Sequence, residues 1–339
     1  MLKLSQENFI NVRDYVLANC DDISRAWFCY HFEGGNADAF MEVLANYQHE
    51  CGGFGGLDYG FDYQGSCLKC TEYAIGYITR LAEKPLGNHP VIQKVMKYIL
   101  ARYRPTLGNW SEIVAPEVNN GVYLRHARYR GTHTATAEME AYESQRHYFD
   151  TEDERIKRYE ANEFVCFAAF VAYYPEIVPE ELYTEIIKYP MQHILRYWDE
   201  NSPEYDKTLF TDRGPYDFEY FQGFVHCLKD SDIKDRLAAI LRQNPTAFME
   251  LDYAKSDNDY VHLPCDCVSS PDSIIYPVVK SLVDDSLAYR MKVQRADGSF
   301  PLGWSFGKSD ELKRMEKLYE AHLTVEMLIK LKRFGRIEL

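Results

Sequence analysis

The sequence has no apolar run approaching the roughly 20 residues that a bilayer-crossing helix needs, so no membrane span is expected. Positive charge is also scarce. The 38 Lys and Arg are outnumbered by 52 Asp and Glu, a formal charge of −14. This argues against nonspecific binding to nucleic acid or anionic lipid, partners that need a basic face to release counterions, while leaving room for local basic clusters. Strand-type alternation between tight turns is nearly missing, which removes the sheet-based classes. There is no nucleophile elbow of a Ser hydrolase and no phosphate-binding loop of the Walker kind. The glycines Gly52, Gly53, Gly55 and Gly56 lack the preceding strand that a dinucleotide fingerprint requires. The amino terminus has no apolar core followed by a small-residue cleavage site, and the cysteines number nine, an odd count. Together these predict reduced thiols in a cytoplasmic protein.

What is abundant is apolar and aromatic surface: 46% hydrophobic residues, with 27 Tyr and 18 Phe. Helical periodicity sorts the segments into two groups. Residues 5–20, 37–49, 90–103, 180–197, 231–243 and 284–295 are two-faced and predict outer helices with one wet side. Residues 23–33, 71–83, 162–174, 217–229, 272–283 and 319–333 are apolar or aromatic on nearly every side and predict helices buried all round. The groups alternate, which predicts one all-α domain over residues 1–339, an (α/α)6 toroid with an inner ring of helices around a central cavity. An open solenoid or an irregular bundle is the alternative. The connection from about 105 to 159 breaks the rhythm and is read as a flap over one mouth of the ring, with a helix from about 136 to 144.

Parallel inner helices would gather their amino ends at one mouth, together with Thr71 and Glu72, Asn162 and Glu163, Asp217 and Glu219, Asp272 and Ser273, and Glu320 and His322. Capping and the helix dipole favour such carboxylates without any chemistry. Facing one another, they would suit general acid and base work. Glu72, Asp272 and Glu320, with the loop residues Asp257 and Asp259, are therefore the catalytic candidates. Cys67-Leu68-Lys69-Cys70 with Cys265 and Cys267 would make a closed zinc site, whereas Cys265 or Cys267 with His322 would leave one zinc position open. Each cysteine is also explained as a small buried side chain. Arg125, Arg128 and Arg130 lie together on the flap and match an anionic substrate; the alternative is a solvated segment paired with the Asp150 to Glu154 run. Tyr59 and Trp304 are candidate rings for holding substrate.

The stretches Gln48-His49-Glu50-Cys51-Gly52-Gly53-Phe54 and Gln294-Arg295-Ala296-Asp297-Gly298-Ser299-Phe300 resemble the Gln-x-x-x-Gly-x-aromatic repeats of the squalene-cyclase and protein-prenyltransferase superfamily. The ending from Tyr319 to Arg336 is similar to the closing helix of its small bacterial members. The resemblance implies the toroid, a small-molecule substrate of isoprenoid or other largely apolar kind, and structural roles for Gln48, Phe54, Gln294 and Trp304. A cyclase of this type uses an Asp-x-Asp-Asp acid, and here Asp257-Asn258-Asp259-Tyr260 carries Tyr at the last place. An Asp-Asp-x-x-Asp motif is missing. A prenyltransferase holds zinc through an Asp-x-Cys pair and a later His; here Cys265-Asp266-Cys267 and His322 occupy similar places, with Cys where Asp is expected. The other readings are a carbohydrate-active hydrolase or lyase, supported by Asp58, Asp62, Asp257, Asp259 and His262 in loops, and a binding toroid without catalysis.

Overall fold

A computed structural model describes residues 2–58, 64–105, 108–110, 151–157, 159, 162–210 and 214–338. The described residues are mostly helical: α1 Gln6–Asn19, α2 Asp22–Phe32, α3 Ala37–Ala45, α4 Leu68–Thr79, α5 Pro90–Arg102, α6 Glu152–Lys157, α7 Asn162–Tyr173, α8 Glu180–His193, α9 Gly214–Cys227, α10 Ser231–Leu241, α11 Tyr276–Lys292 and α12 Asp310–Arg333. Two short strands, β1 Tyr103–Arg104 and β2 Asn109–Trp110, pair antiparallel. No described helix is long and apolar enough to cross a membrane.

The chain divides into two compact units, one of residues 1–43, 207–222 and 241–339, the other of residues 44–206 and 223–240. In the second unit, α7 packs on α4 and α8. Its sequence Phe164-Val165-Cys166-Phe167-Ala168-Ala169-Phe170-Val171 is buried at every position but Cys166, as a helix apolar all round requires. α5 buries only one face, through Val91, Ile92, Val95, Met96 and Ile99, at the three- and four-residue spacing of an outer helix. In the first unit, α12 packs between α1 and α2. The chain ends join there, where Leu4 pairs in parallel with Ile337, its N–H donating to Arg336 O at 2.7 Å while Glu338 N–H donates to Leu4 O at 2.9 Å.

The two glycine turns share one hydrogen-bond plan. Gln48 Nε2 donates to Gly52 O at 2.9 Å, and Gln294 Nε2 to Gly298 O at 3.2 Å. Phe54 N–H donates to Thr71 Oγ1 at 3.1 Å, and Phe300 N–H to Thr324 Oγ1 at 3.2 Å. Each hydroxyl then donates back to the carbonyl one helical turn earlier, Thr71 to Cys67 O at 2.7 Å and Thr324 to Glu320 O at 2.8 Å. The threonine thus rivets the turn to the buried helix that follows it. Thr71→Val or Thr324→Val leaves the Phe N–H buried without its acceptor, and each is expected to cost about 1–3 kcal/mol in urea unfolding, with Ser at the same position restoring most of it.

Two elements differ from the sequence expectation. Residues 272–283 and 284–295 do not form an inner and an outer helix but a single one, α11, because no Gly or Pro interrupts the chain from Val278 to Lys292. Its buried residues Val279, Val283, Ser286, Leu287 and Met291 fall on one face. α12 begins at Asp310, capped by Ser309 Oγ accepting from Leu312 N–H at 3.3 Å, so Glu320 and His322 lie in mid-helix and not at its amino end. The proposed flap helix at 136–144 lies outside the described residues, as do Tyr59, Asp62, Arg125, Arg128 and Arg130.

Candidate functional site

In the first unit, α12 carries Tyr319, His322, Glu326 and Lys330 at spacings of three, four and four residues, which puts all four on one side of the helix. They are met by three segments, the Trp304 loop, α2 and the Asp266 loop. Trp304 stands 5.7 Å from the Tyr319 ring, Ser24 Oγ is 3.2 Å from His322 Nδ1, Trp27 Nε1 donates to Glu326 Oε1 at 3.2 Å, and Asp266 Oδ1 lies 3.6 Å from Lys330 Nζ.

The upper end of this stripe is aromatic. Trp304 packs edge-on against Tyr260 at 5.6 Å and Phe306 at 4.7 Å, and Tyr319 stacks toward His322 at 6.3 Å. Trp304, Phe306 and Tyr319 are half-buried and Tyr260 is exposed, so the rings form a wall with one wet side. The contact between the two loops depends on Gly303. A Cβ there would fall 2.0 Å from Ser256 O and 2.8 Å from Asp259 O, so only glycine lets the Trp304 loop close on the segment bearing Tyr260.

Below the rings lies an ionic cluster. Asp266 accepts from Arg290 Nη2 at 2.8 Å and from its own loop through Leu263 N–H at 3.1 Å, in addition to its pairing with Lys330. The three side chains are only 22%, 15% and 17% exposed. Burial alone would raise the Asp266 carboxyl, but Arg290 and Lys330 outweigh it and hold the group at about 2. The same pairing raises Lys330 and Arg290 against the opposing effect of burial. His262 joins the rings to the cluster, 5.4 Å from Tyr260. Burial lowers its pKa, Asp266 works against that, and the two cations add to it, so His262 is neutral near pH 7. Two cations share the bonded carboxylate, with Glu219 acting on Lys330 more weakly, and the buried Arg290 Nε–H finds no acceptor among the described residues. The arrangement can receive an anionic group without losing its own ion pairs.

The sequence candidates separate accordingly. Trp304 and His322 belong to the stripe. Glu320 faces elsewhere on α12, accepting from Tyr15 Oη at 3.1 Å and from Arg295 Nη1 at 2.6 Å, a brace between α1 and the glycine turn. Asp257 accepts from Tyr289 Oη at 2.6 Å, and Asp259 accepts its neighbour Tyr260 N–H at 2.8 Å; both fix loop shape. Asp272 is exposed before α11. Glu72 is buried in the second unit and bound by Lys69 at 2.6 Å. Cys265 N–H donates to Ser286 Oγ at 3.0 Å, Cys267 Sγ donates to Phe248 O at 3.7 Å, and burial pushes both thiols up, Cys265 to about 11. Among the described residues no three His, Cys, Asp or Glu side chains converge as metal ligands. Sequence reading passed over Asp266, Arg290 and Lys330. The available signal was Lys330, a cation in a buried helix where every charge needs a partner. Compared with protein-family models, with curated proteins and with solved structures, the chain matches none.

Proposed function

We propose that the protein binds an amphiphilic anion of the isoprenoid-diphosphate kind, with its apolar chain along Tyr260, Trp304, Phe306 and Tyr319 and its charged head at Arg290 and Lys330. The observation that carries this reading is a partly exposed aromatic wall on the same side of α12 as a cluster in which two cations share one carboxylate, about three helical turns further along. Aromatic faces would also suit an allylic cation by cation–π attraction. Asp266, held ionised, cannot serve as a proton donor, so the site's contribution is to bind and orient.

We also propose the helical ring for the whole chain. In the second unit, the Gly52 turn seats on Lys94 of α5, the helix that follows α4. In the first, the Gly298 turn, which precedes α12, seats on Asn11 of α1. What supports the ring is that α1 seats the turn before α12 as α5 seats the turn before α4, the relation a closed ring of repeats would require.

Calorimetric titration with a long-chain prenyl diphosphate, the matching prenyl alcohol and a neutral oligosaccharide tests the ligand class. The diphosphate is expected to bind, Trp304→Ala to weaken it about tenfold through loss of one ring contact, and Arg290→Gln to bring it down to the alcohol's affinity. Binding of the oligosaccharide with none for the diphosphate would replace this reading with the carbohydrate one, which the same aromatic platforms favour.

A further inference from the structure

Cys67 and Cys70 open α4 in the second unit. Cys67 is the N-cap, its Sγ accepting the Cys70 N–H at 3.3 Å, and Cys70 is the third helical residue. N-cap and N3 side chains face each other across the first turn, the relation that lets a capping box close reciprocally, so the two sulfurs are held side by side. All nine cysteines are thiols. The Cys70 sulfur is held by the Cys67 thiol and by the backbone N–H groups of Leu57 and Asp58, which favour its thiolate against the effect of burial. In contrast, burial pushes the other buried thiols Cys20, Cys265 and Cys267 upward. Cys67 is 5% exposed and Cys70 is not exposed at all, which admits a small oxidant better than a protein one.

We propose that Cys67 and Cys70 form a redox-active dithiol that a hydroperoxide oxidises to a disulfide across the first turn of α4. In the first step Cys67 passes its proton to the neighbouring Cys70 thiolate and attacks the peroxide as the thiolate; the O–O bond breaks, Cys67 becomes a sulfenic acid, and the displaced hydroxide (alkoxide from an organic hydroperoxide) takes the proton back from Cys70 and leaves as water (or alcohol). In the second, the Cys70 thiolate attacks the Cys67 sulfur, the S–O bond breaks, and the S–S bond forms as the hydroxide takes up a proton and leaves as water. The two thiols lose two electrons and the peroxide gains them. A thiol reductant reverses the product by exchange. The disulfide also removes the thiol that donates to Cys70, at the same helix start that Thr71 ties to the glycine turn.

The full chain is treated with stoichiometric hydrogen peroxide, its remaining thiols are alkylated, and the digest is mapped by mass. Trypsin cuts after Lys69, which leaves Cys70 as the only cysteine of peptide 70–80, so the disulfide appears as a cross-linked peptide pair whose fragmentation identifies Cys67. The expected result is loss of two thiols per chain in that pair, recovery of both with dithiothreitol, and, in Cys70→Ser, a Cys67 sulfenic acid trapped by a dione reagent. The wild-type map decides the matter even where that variant folds poorly. Alkylation of both Cys67 and Cys70 after the exposed Cys51 has been oxidised, or a cross-link from Cys70 to Cys51, overturns the proposal.

Discussion

Asp266→Asn is expected to destabilise the protein by about 3–5 kcal/mol, because it leaves the largely buried Arg290 and Lys330 without their shared counter-ion. Urea unfolding measures the loss. Adding Lys330→Met to the variant should return part of it, since one of the two stranded charges is then gone, and the double-mutant cycle reports the coupling. The pH dependence has a definite sign. A carboxyl held at about 2 in the folded chain and near 3.9 in the unfolded one contributes stability that is complete above about pH 4 and lost as pH falls through about 2. The variant should lack that part of the acid limb. It should also bind the prenyl diphosphate more tightly, since both cations are released to the ligand. Lower stability with tighter binding separates a ligand-receiving cluster from a purely structural one.

Gly298→Ala should be similarly damaging. The residue sits at φ +93°, and its added Cβ would fall 2.5 Å from the backbone of Asn11 in α1. Left-handed backbone costs an L-residue about 1–2 kcal/mol, and main-chain overlap cannot be relieved by a rotamer change, so the total is expected at about 3–5 kcal/mol. Gly52→Ala, at φ +95° and 2.1 Å from Lys94 O, should cost a comparable amount. Ala at either position with unfolding midpoints like wild type would remove the turns from any role in seating the helices.

Much of the fold was legible because helix identity follows from which faces are apolar. α1, α5, α7 and α10 appear within a few residues of where periodicity puts them. The boundary between residues 283 and 284 failed because apolar periodicity reports burial of a face, and a helix that changes its surroundings along its length needs no break. Glu320 and His322 were placed at a helix start for the same reason: the turns from Asp310 to Leu318 are polar and partly wet, so the apolar pattern begins only after the helix does.

The site was less legible. His322 and Trp304 were singled out through their resemblance to family motifs, and they lie on one side of α12 and on its facing loop. The acidic candidates Asp257, Asp259 and Glu320 turned out to be engaged by Tyr289, the Tyr260 backbone and the Tyr15–Arg295 pair, partners separated by up to 305 residues that no local pattern announces. Asp266 was passed over because it lies between two cysteines that invite a metal reading, whereas its partners come from α11 and α12.

The most direct measurement is photolabelling of the full chain with a prenyl diphosphate that carries a benzophenone on its apolar chain, followed by peptide mapping. Label confined to the segments 256–267 and 296–319, lost in Trp304→Ala and competed by unlabelled prenyl diphosphate, is the predicted result. Label distributed over other segments, or undiminished by the competitor, would contradict a site formed by the aromatic wall and the Asp266 cluster.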